Sequence, residues 1–325
     1  MEMSNSRRID LIKDTVYCFV CPEAEVLSVE SVPMHSGSRA VELIRNKVRL
    51  QRRTGIKAGP DAAEEVSLVT KLATFVERSA LSRLFSQAAN VPFSLSGQPL
   101  HEGRSLLCIE DVDYRTDYGK LDIAALQDKE LRALAYIHYA NLGCTCEMPW
   151  LPKVDEDYIA KCINEWWRPS WERAKENPVF AETFGTEIIS RIEDIAGRIV
   201  EDMAPVIHDE STYTMIHNDL NPGNILVKGN DEVYFIDWEE ARYGSLFMDI
   251  PMRCRNLQQA GDYRRYLESL GCGIADQHFT ERFAVASRYL GLRFMCWNLG
   301  VWQQNEQARN GLLRYMEMVT RPLFS

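Results

Sequence analysis

Residues 213–237 read YTMIHNDLNPGNILVKGNDEVYFID, and this stretch decides how the rest of the chain is read. An apolar run from Tyr213 to Ile216 leads into a polar loop from His217 to Asn224. A second apolar run, Ile225 to Val227, is followed by a turn at Gly229-Asn230 and a third run, Val233 to Ile236. Short apolar runs bounded by Gly, Asn and Pro predict small strands. Polar residues are thus held at strand ends, on a loop steadied by a hairpin, which is a common way to present chemical groups.

The spacing narrows the chemistry. Asp219 and Asn224 lie five residues apart across Pro222 and Gly223, and Asp237 closes the next strand. Phosphoryl transfer needs a carboxylate to take the acceptor hydroxyl's proton, and further oxygen ligands for the metal ions that neutralise the phosphates. Asp219 meets the first demand, and Asn224 with Asp237 the second. An Asx-rich turn joining two strands uses the same residue types. A turn, however, has no need of a separate Asp at the end of the following strand.

His217-Asn218-Asp219-Leu220, Gly223-Asn224-Ile225-Leu226 and Ile236-Asp237-Trp238-Glu239 together resemble the aminoglycoside phosphotransferase and choline kinase superfamily. The resemblance implies an α/β (α+β) chain with a two-lobe, protein-kinase-like fold. A strand-rich, nucleotide-binding N-lobe would take residues 1–110. A mostly helical C-lobe, with the catalytic loop and the acceptor-binding helices, would take residues 111–325. It further implies ATP and Mg²⁺ as cofactors, with Asp219 as base and Asn224 and Asp237 on the metal. His217 would brace the loop, and Asp249 would be the structural Asp that follows the metal-binding strand. The acceptor implied is a small cationic molecule, aminoglycoside-like, with choline or ethanolamine as the alternative. The H-N-D opening and the I-D-W-E…F-x-D-I ending lean towards the choline kinase branch. A non-catalytic nucleotide-binding pseudokinase is the alternative of another class, although a mere binder has no need of a proton acceptor. Protein kinases are less similar, for D-F-G and A-P-E are missing and only eleven residues separate Asp237 from Asp249, too few for an activation loop.

Composition agrees with an enzyme of this size. The 325 residues are 46% hydrophobic, enough for two cores. The first residues lack the apolar region of a signal peptide, and no stretch approaches the ~18 apolar residues of a membrane span. Nine cysteines, an odd number scattered along the chain, point to a reducing, cytoplasmic setting. Cys18-x-x-Cys21 and Cys144-x-Cys146 have spacings open to a metal, while Cys18, within the apolar run Val16 to Val20, also reads as a buried free thiol. The net charge of −10 argues against nucleic acid as a partner despite a basic stretch from Arg39 to Lys57. The oligomeric state is not readable.

Before the central loop, Ala24–Pro33 and Ala40–Leu50 predict two strands, the second alternating Val41, Leu43 and Val48 with Ile44 as an exception. Ser36, Gly37 and Ser38 between them are candidates for a phosphate-covering loop, or for a plain hairpin turn. Val66–Leu72 predicts a strand, and by the resemblance its Lys71 holds the ATP phosphates. The helix expected from Phe75 to Ala88 has Leu81, Leu84, Phe85 and Ala88 on one stripe. Glu77 falls on that stripe, and a carboxylate on a buried face needs a partner, for which Lys71 is nearest. Val91–Leu95 and Ser105–Ile109 complete the strands, with 96–99 as their turn. By the resemblance Glu110 to Asp113 form the hinge, and backbone groups at Glu110 and Val112 would bind the adenine.

After the hinge the pattern turns helical. Asp122 is a candidate N-cap, with Ile123, Leu126, Leu134 and Ile137 on one face and Gly143 at the end. His138 near that face reads as a core histidine, since no carboxylate or Cys pattern surrounds it. Residues 147–210 carry fifteen acids and seven bases, with Trp150, Trp166, Trp167 and Trp171. Such a segment suits a cationic acceptor through ion pairs and cation–π contacts, or else is a solvated acidic surface over a Trp-filled core. Helices are expected at 187–203, with Ile188, Ile192, Ile195 and Ile199 inward, and at 262–270, 281–303 and 307–319. Trp297 and Trp302 read as core, or by the resemblance as walls of a choline pocket.

Overall fold

A computed structural model describes residues 5–34, 43–52, 63–100 and 103–324, and the counts and absences below concern those residues. The chain divides into two compact units, Met1–Ala133 with Asn221–Ala241 and Leu134–Leu220 with Arg242–Ser325. The hairpin after the loop at 217–220 therefore groups with the N-terminal strands, although it lies far along the chain.

In the first unit, β1 (Ala24–Pro33), β2 (Ile44–Arg52), β3 (Glu64–Ala73), β4 (Ser94–Pro99) and β5 (Ser105–Glu110) form one antiparallel sheet in the order β1-β2-β3-β5-β4. On β2 the buried face is Ile44, Asn46, Val48 and Leu50. Ile44 thus belongs to the alternation it was expected to break, while Leu43 precedes the strand and Val41 lies outside the described residues. Asn46 hid the pattern by being polar. Its amide is satisfied within the sheet, donating to the Ile44 carbonyl at 3.0 Å and to Thr70 Oγ1 at 3.1 Å, as buried polar groups must be. The expected turn at 96–99 belongs to β4, and past it the Leu100 N–H donates to the Arg104 carbonyl at 2.7 Å. Gly97 and Pro99 are accommodated because β4 is an edge strand with a register shift between Ser96 and Pro99.

Two helices pack in this unit besides the first turns of a third. The helix α1 (Asn5–Thr15), not evident in the sequence, buries Leu11 and Ile12 against Val48, Leu50, Leu68 and Leu106. It runs on into a wider helical turn, Val16–Val20, on which Cys18 is exposed rather than buried, because a helical run of apolar residues points to several sides. The helix α2 (Phe75–Ser86) is capped by Thr74 and turns Glu77, Ala80, Leu81 and Leu84 inward. Phe85 is 44% exposed and Ala88 lies past the helix at φ 56, so the inner stripe is one turn shorter than expected. The hairpin strands Ile225–Lys228 and Glu232–Phe235 (β7 and β8 in chain order) join through Gly229 and Asn230 at φ 63 and 81, the mirror-image turn that matches strand twist. The helix α3 (Ile123–Ala140) starts at Asp122, whose carboxylate accepts the Ala124 and Ala125 N–H groups, both at 3.1 Å. Leu126, Leu134 and Ile137 are buried as expected, but Ile123, in the first turn, is 64% exposed.

The second unit is mostly helical. It comprises the later turns of α3, then α4 (Glu156–Lys161), α5 (Arg168–Lys175), α6 (Pro178–Phe184), α7 (Thr186–Asp202) and α8 (Ala204–Ile207). The short antiparallel pair β6 (Tyr213–Ile216) and β9 (Arg242–Ser245) follows, with α9 (Ile250–Arg253), α10 (Leu257–Ser269), α11 (Asp276–Leu299) and α12 (Glu306–Thr320). Buried along most of its length, α11 is the centre of this unit. Gly291 lets α12 approach it closely, since a Cβ there would lie 2.7 Å from the Tyr315 carbonyl. On α7 the inward residues are Ile189, Ile192, Ile195, Ala196 and Ile199. Ile188, expected inward, is 42% exposed, as its neighbour Ile189 sits nearer the centre of the apolar face. Among the described residues no helix is long and apolar enough to cross a membrane.

Candidate active site

Lys71 on β3 is the centre of the first unit's polar constellation. Its Nζ meets Glu77 Oε1 at 2.6 Å and donates to Asp237 Oδ1 at 2.7 Å. Three local features bring the carboxylates there. The cap at Thr74 starts α2 so that Glu77 faces inward. The turn Trp238–Glu240 packs on α2, and the Trp238 indole N–H donates to the Phe235 carbonyl at 3.2 Å. Asn90, after α2, holds β8 by accepting the Phe235 N–H and donating to the Val233 carbonyl, both at 2.9 Å. Asp237 itself takes φ 64, a strained conformation that tends to occur at functional sites.

The electrostatics follow from one cation between two acids. Desolvation lowers the Lys71 pKa, but Glu77 and Asp237 outweigh it and raise the ammonium above its ordinary range. Burial pushes the Glu77 carboxyl up to about 7 against the pull of Lys71, with Asp237 adding to the rise. Asn224 joins this group through the backbone, its carbonyl accepting the Ile236 N–H at 3.0 Å beside Asp237. Asn221 caps the short turn Pro222–Asn224 by accepting the Gly223 N–H at 2.8 Å. Asn224 and Asp237 offer hard oxygens of the kind that Mg²⁺ prefers, so this donor set fits such an ion.

In the second unit the loop from His217 to Leu220 is held by Asp249. That carboxylate is 1% exposed and accepts the His217 N–H at 2.7 Å and the Asn218 N–H at 2.8 Å. Behind it lies a buried chain, Tyr263 Oη to His138 Nδ1 at 2.7 Å and His138 Nε2 to Asp249 Oδ2 at 3.2 Å. With Nε2 donating to the carboxylate, Nδ1 accepts the Tyr263 hydroxyl; burial and the Asp249 charge push that phenol well above its ordinary range. His138 is therefore a core histidine as expected, but one with a carboxylate partner that its sequence neighbourhood did not disclose. His217 Nδ1 accepts the Asp219 N–H at 3.3 Å, so this lone pair steadies the loop. Arg253 Nη1 donates to the Leu220 carbonyl at 3.3 Å. The Asp219 charge contributes to raising the Tyr315 pKa, after burial, so α12 stands near the loop.

The remaining candidates fall out unevenly. Ser36, Gly37 and Ser38 lie outside the described residues. The Glu110 N–H donates to the Phe93 carbonyl at 3.1 Å, and its side chain pairs with Lys228 at 2.7 Å. Val112 is 5% exposed. Between them Asp111 accepts the Ser67 hydroxyl at 2.5 Å and meets Arg45 Nε at 2.6 Å, which fixes the segment after β5. Trp167 and Trp171 stack at 5.4 Å in the core, so they are not acceptor-facing aromatics. Trp302 packs on Phe184 at 5.1 Å and is buried, whereas Trp297 is 55% exposed. A cavity of about 640 Å³ is lined by Asp155, Glu156, Asp157, Glu210, Lys153 and Tyr213 among others. It lies at the Tyr213 end of β6, the end away from Asp219. Among the described residues no group of three or more His, Cys, Asp or Glu is arranged to hold a metal by itself.

Comparison with known proteins shows what this geometry is similar to. Residues 122–281, which include the loop, Asp237 and Asp249, match the phosphotransferase enzyme family. No curated protein sequence matches the chain. A spectinomycin phosphotransferase solved with ADP and spectinomycin is similar in structure, at TM-score 0.62 and 14% identity over 100% of this chain and 99% of that one. A microcompartment-associated aminopropanol kinase is similar at TM-score 0.58 and 11% identity, over 96% and 95%. The choline kinase of Streptococcus pneumoniae is similar at TM-score 0.50 and 14% identity, over 96% and 98%. At such identities these likenesses establish the kinase-like fold, and the family match adds the enzyme class. Taken with the match over residues 122–281, the fold supports a small-molecule phosphotransferase, similar to aminoglycoside phosphotransferases and choline kinases.

Proposed function

We propose that this enzyme transfers the γ-phosphate of ATP, with Mg²⁺, to a hydroxyl of a small cationic molecule. The observation that carries the reading is the Lys71 ammonium held between Glu77 and Asp237 at 2.6 and 2.7 Å. A structural hairpin has no use for such a pair of acids on one part-buried lysine, whereas phosphate binding beside a metal does. Lys71 then positions the phosphates and Glu77 steadies Lys71. Asn224 and Asp237 hold the Mg²⁺, which neutralises charge on the phosphoryl group. Asp219 takes the proton of the acceptor hydroxyl, and His217 braces it. Residues 1–110, with the backbone at Glu110 and Val112 and the Ser36–Ser38 segment, serve the nucleotide; residues 111–325 serve the acceptor and the transfer. The presence of the full acid set argues against a pseudokinase. Nine cysteines, all free thiols, support a reducing, cytoplasmic setting.

The charge of the acceptor rests on the acid surplus of residues 147–210. An aminoglycoside-like acceptor is favoured over choline, because Trp302 is committed to packing against Phe180 and Phe184 and leaves no paired indole cage with Trp297. The test is MgATP-dependent ADP release with spectinomycin, further aminoglycosides, choline, ethanolamine and a neutral sugar alcohol as acceptors. Stimulation by an amine-bearing polyol is expected. Stimulation by the neutral alcohol alone would overturn the cationic reading while leaving the transfer itself intact.

A further inference from the structure

Asn218, the residue before the proposed base, has φ 64, a left-handed backbone that residues other than glycine seldom adopt. Its backbone N–H is taken by Asp249, and its side chain is gripped at both ends. Nδ2 donates to the Tyr158 hydroxyl at 2.8 Å, and Oδ1 accepts from Arg293 Nη1 at 2.6 Å. All three residues are buried, Asn218 to 1%, Arg293 to 5% and Tyr158 to 7% exposure. The Tyr158 ring is covered by the Arg242 guanidinium at 3.8 Å, at the start of the strand that pairs with β6. Arg293 also lies 5.0 Å from the centre of the Phe294 ring.

A buried guanidinium is costly, and a Leu or Met of similar volume would fill the space at lower cost. Its planar fork, however, fixes a partner's orientation in a way that an apolar side chain cannot. We infer that Arg293 and Tyr158 are positioning residues for the transfer. Their grip on the Asn218 amide holds its left-handed backbone, and that backbone sets the direction in which Asp219 presents its carboxylate. The inference rests on the reading of Asp219 as the base.

The experiment measures MgATP hydrolysis with water as the only acceptor, together with the rise in melting temperature caused by MgADP. Arg293→Met should lower kcat by about 10-fold or more, and Tyr158→Phe by about 3-fold, since small misplacements of reacting groups have effects of this size or larger. The KM for ATP and the MgADP shift should stay as in the wild type. Adding Asn218→Gly to either variant should recover part of the lost kcat, because glycine takes a positive φ without a clamp. Loss that Asn218→Gly does not recover would make the two residues mere packing and overturn the inference. So would wild-type rates in both single variants while Asp219→Asn is inactive. Should Arg293→Met fail to fold, Tyr158→Phe with and without Asn218→Gly decides the matter alone. A wild-type rate in Asp219→Asn would instead remove the base assignment, and the clamp's purpose with it.

Discussion

Lys71 in the first unit and His217 in the second are surrounded by different material. Lys71 lies among ions, with one carboxylate almost wholly buried (Glu77) and another 38% exposed (Asp237). The loop of His217 and Asp219 is held by directional hydrogen bonds. Its backbone N–H groups donate to the buried Asp249 carboxylate, with His138 behind it, and the His217 ring accepts the Asp219 N–H. The Arg253 and Arg293 guanidinium groups donate to the Leu220 carbonyl and the Asn218 amide. Charged partners exchange readily for other ions, so the first group suits a nucleotide and its metal. Directional hydrogen bonds in a dry interior hold geometry, and geometry is what a proton acceptor requires. The division predicts that substitutions near Lys71 alter binding, whereas those around the loop alter turnover or stability.

The largest effect should come from Asp219, the proposed base. Asp219→Asn should lower turnover by about 10²–10⁴-fold, the usual contribution of a positioned acid–base group, with MgADP binding and melting temperature kept. Near wild-type turnover would break the comparison at its centre. Next is the support beneath the loop. Asp249→Ala leaves the buried His217 and Asn218 N–H groups without their acceptor, at about 1–3 kcal/mol each. Denaturant unfolding should show a loss of a few kcal/mol, and an unchanged midpoint would mean that the loop is held by something other than Asp249.

How much of this could be read in the sequence follows from how far apart the partners lie. The loop, Asn224 and Asp237 fall within one short stretch, so their types and spacing carried the resemblance to phosphotransferases, which the match over residues 122–281 supports. The Lys71–Glu77 pair was suggested by a carboxylate on an apolar stripe with Lys71 as the nearest basic residue before it, and the structure brings the two together. Tyr263 and His138 belong to two helices and Asp249 to a turn far from both in sequence, and nothing in the neighbourhood of His138 announces a carboxylate. Arg293 and Tyr158 were hidden for the same reason, as each looks like an ordinary member of its own helix. Asn46 shows a related failure at the level of the fold. A polar residue satisfied inside a sheet inverts the apparent alternation, and only the cross-strand partner Thr70 reveals the true register.

The metal side gives a binding effect. Asp237→Ala should abolish the dependence of ATP affinity on Mg²⁺, measured by titrating nucleotide at low and high Mg²⁺. Retention of the wild-type dependence would move the metal to other ligands. The fold should survive this change, because Asp237 is the more exposed of the two acids on Lys71.

The smallest effect tests whether the ionic half responds to pH as its burial implies. Glu77 has its folded pKa raised to about 7 from an ordinary 4.5. Between those values the folded protein binds more protons than the unfolded chain, so stability must fall as pH rises through this window. A single uncoupled carboxyl would contribute at most about 2 kcal/mol between pH 5.5 and 8 by this linkage. Lys71 does not mask it, because a raised ammonium contributes stability that is fully present below its unfolded value of 10.5 and lost only at higher pH. Glu77→Gln keeps the shape but removes the titration. Its denaturation midpoint relative to wild type should therefore rise from pH 5.5 to pH 8, as the wild type loses the advantage of its protonated carboxyl. A difference that does not change with pH would show that Glu77 stays ionised against Lys71 throughout. The ammonium would then outweigh burial, and the ionic group around Lys71 would be as firmly set as the loop.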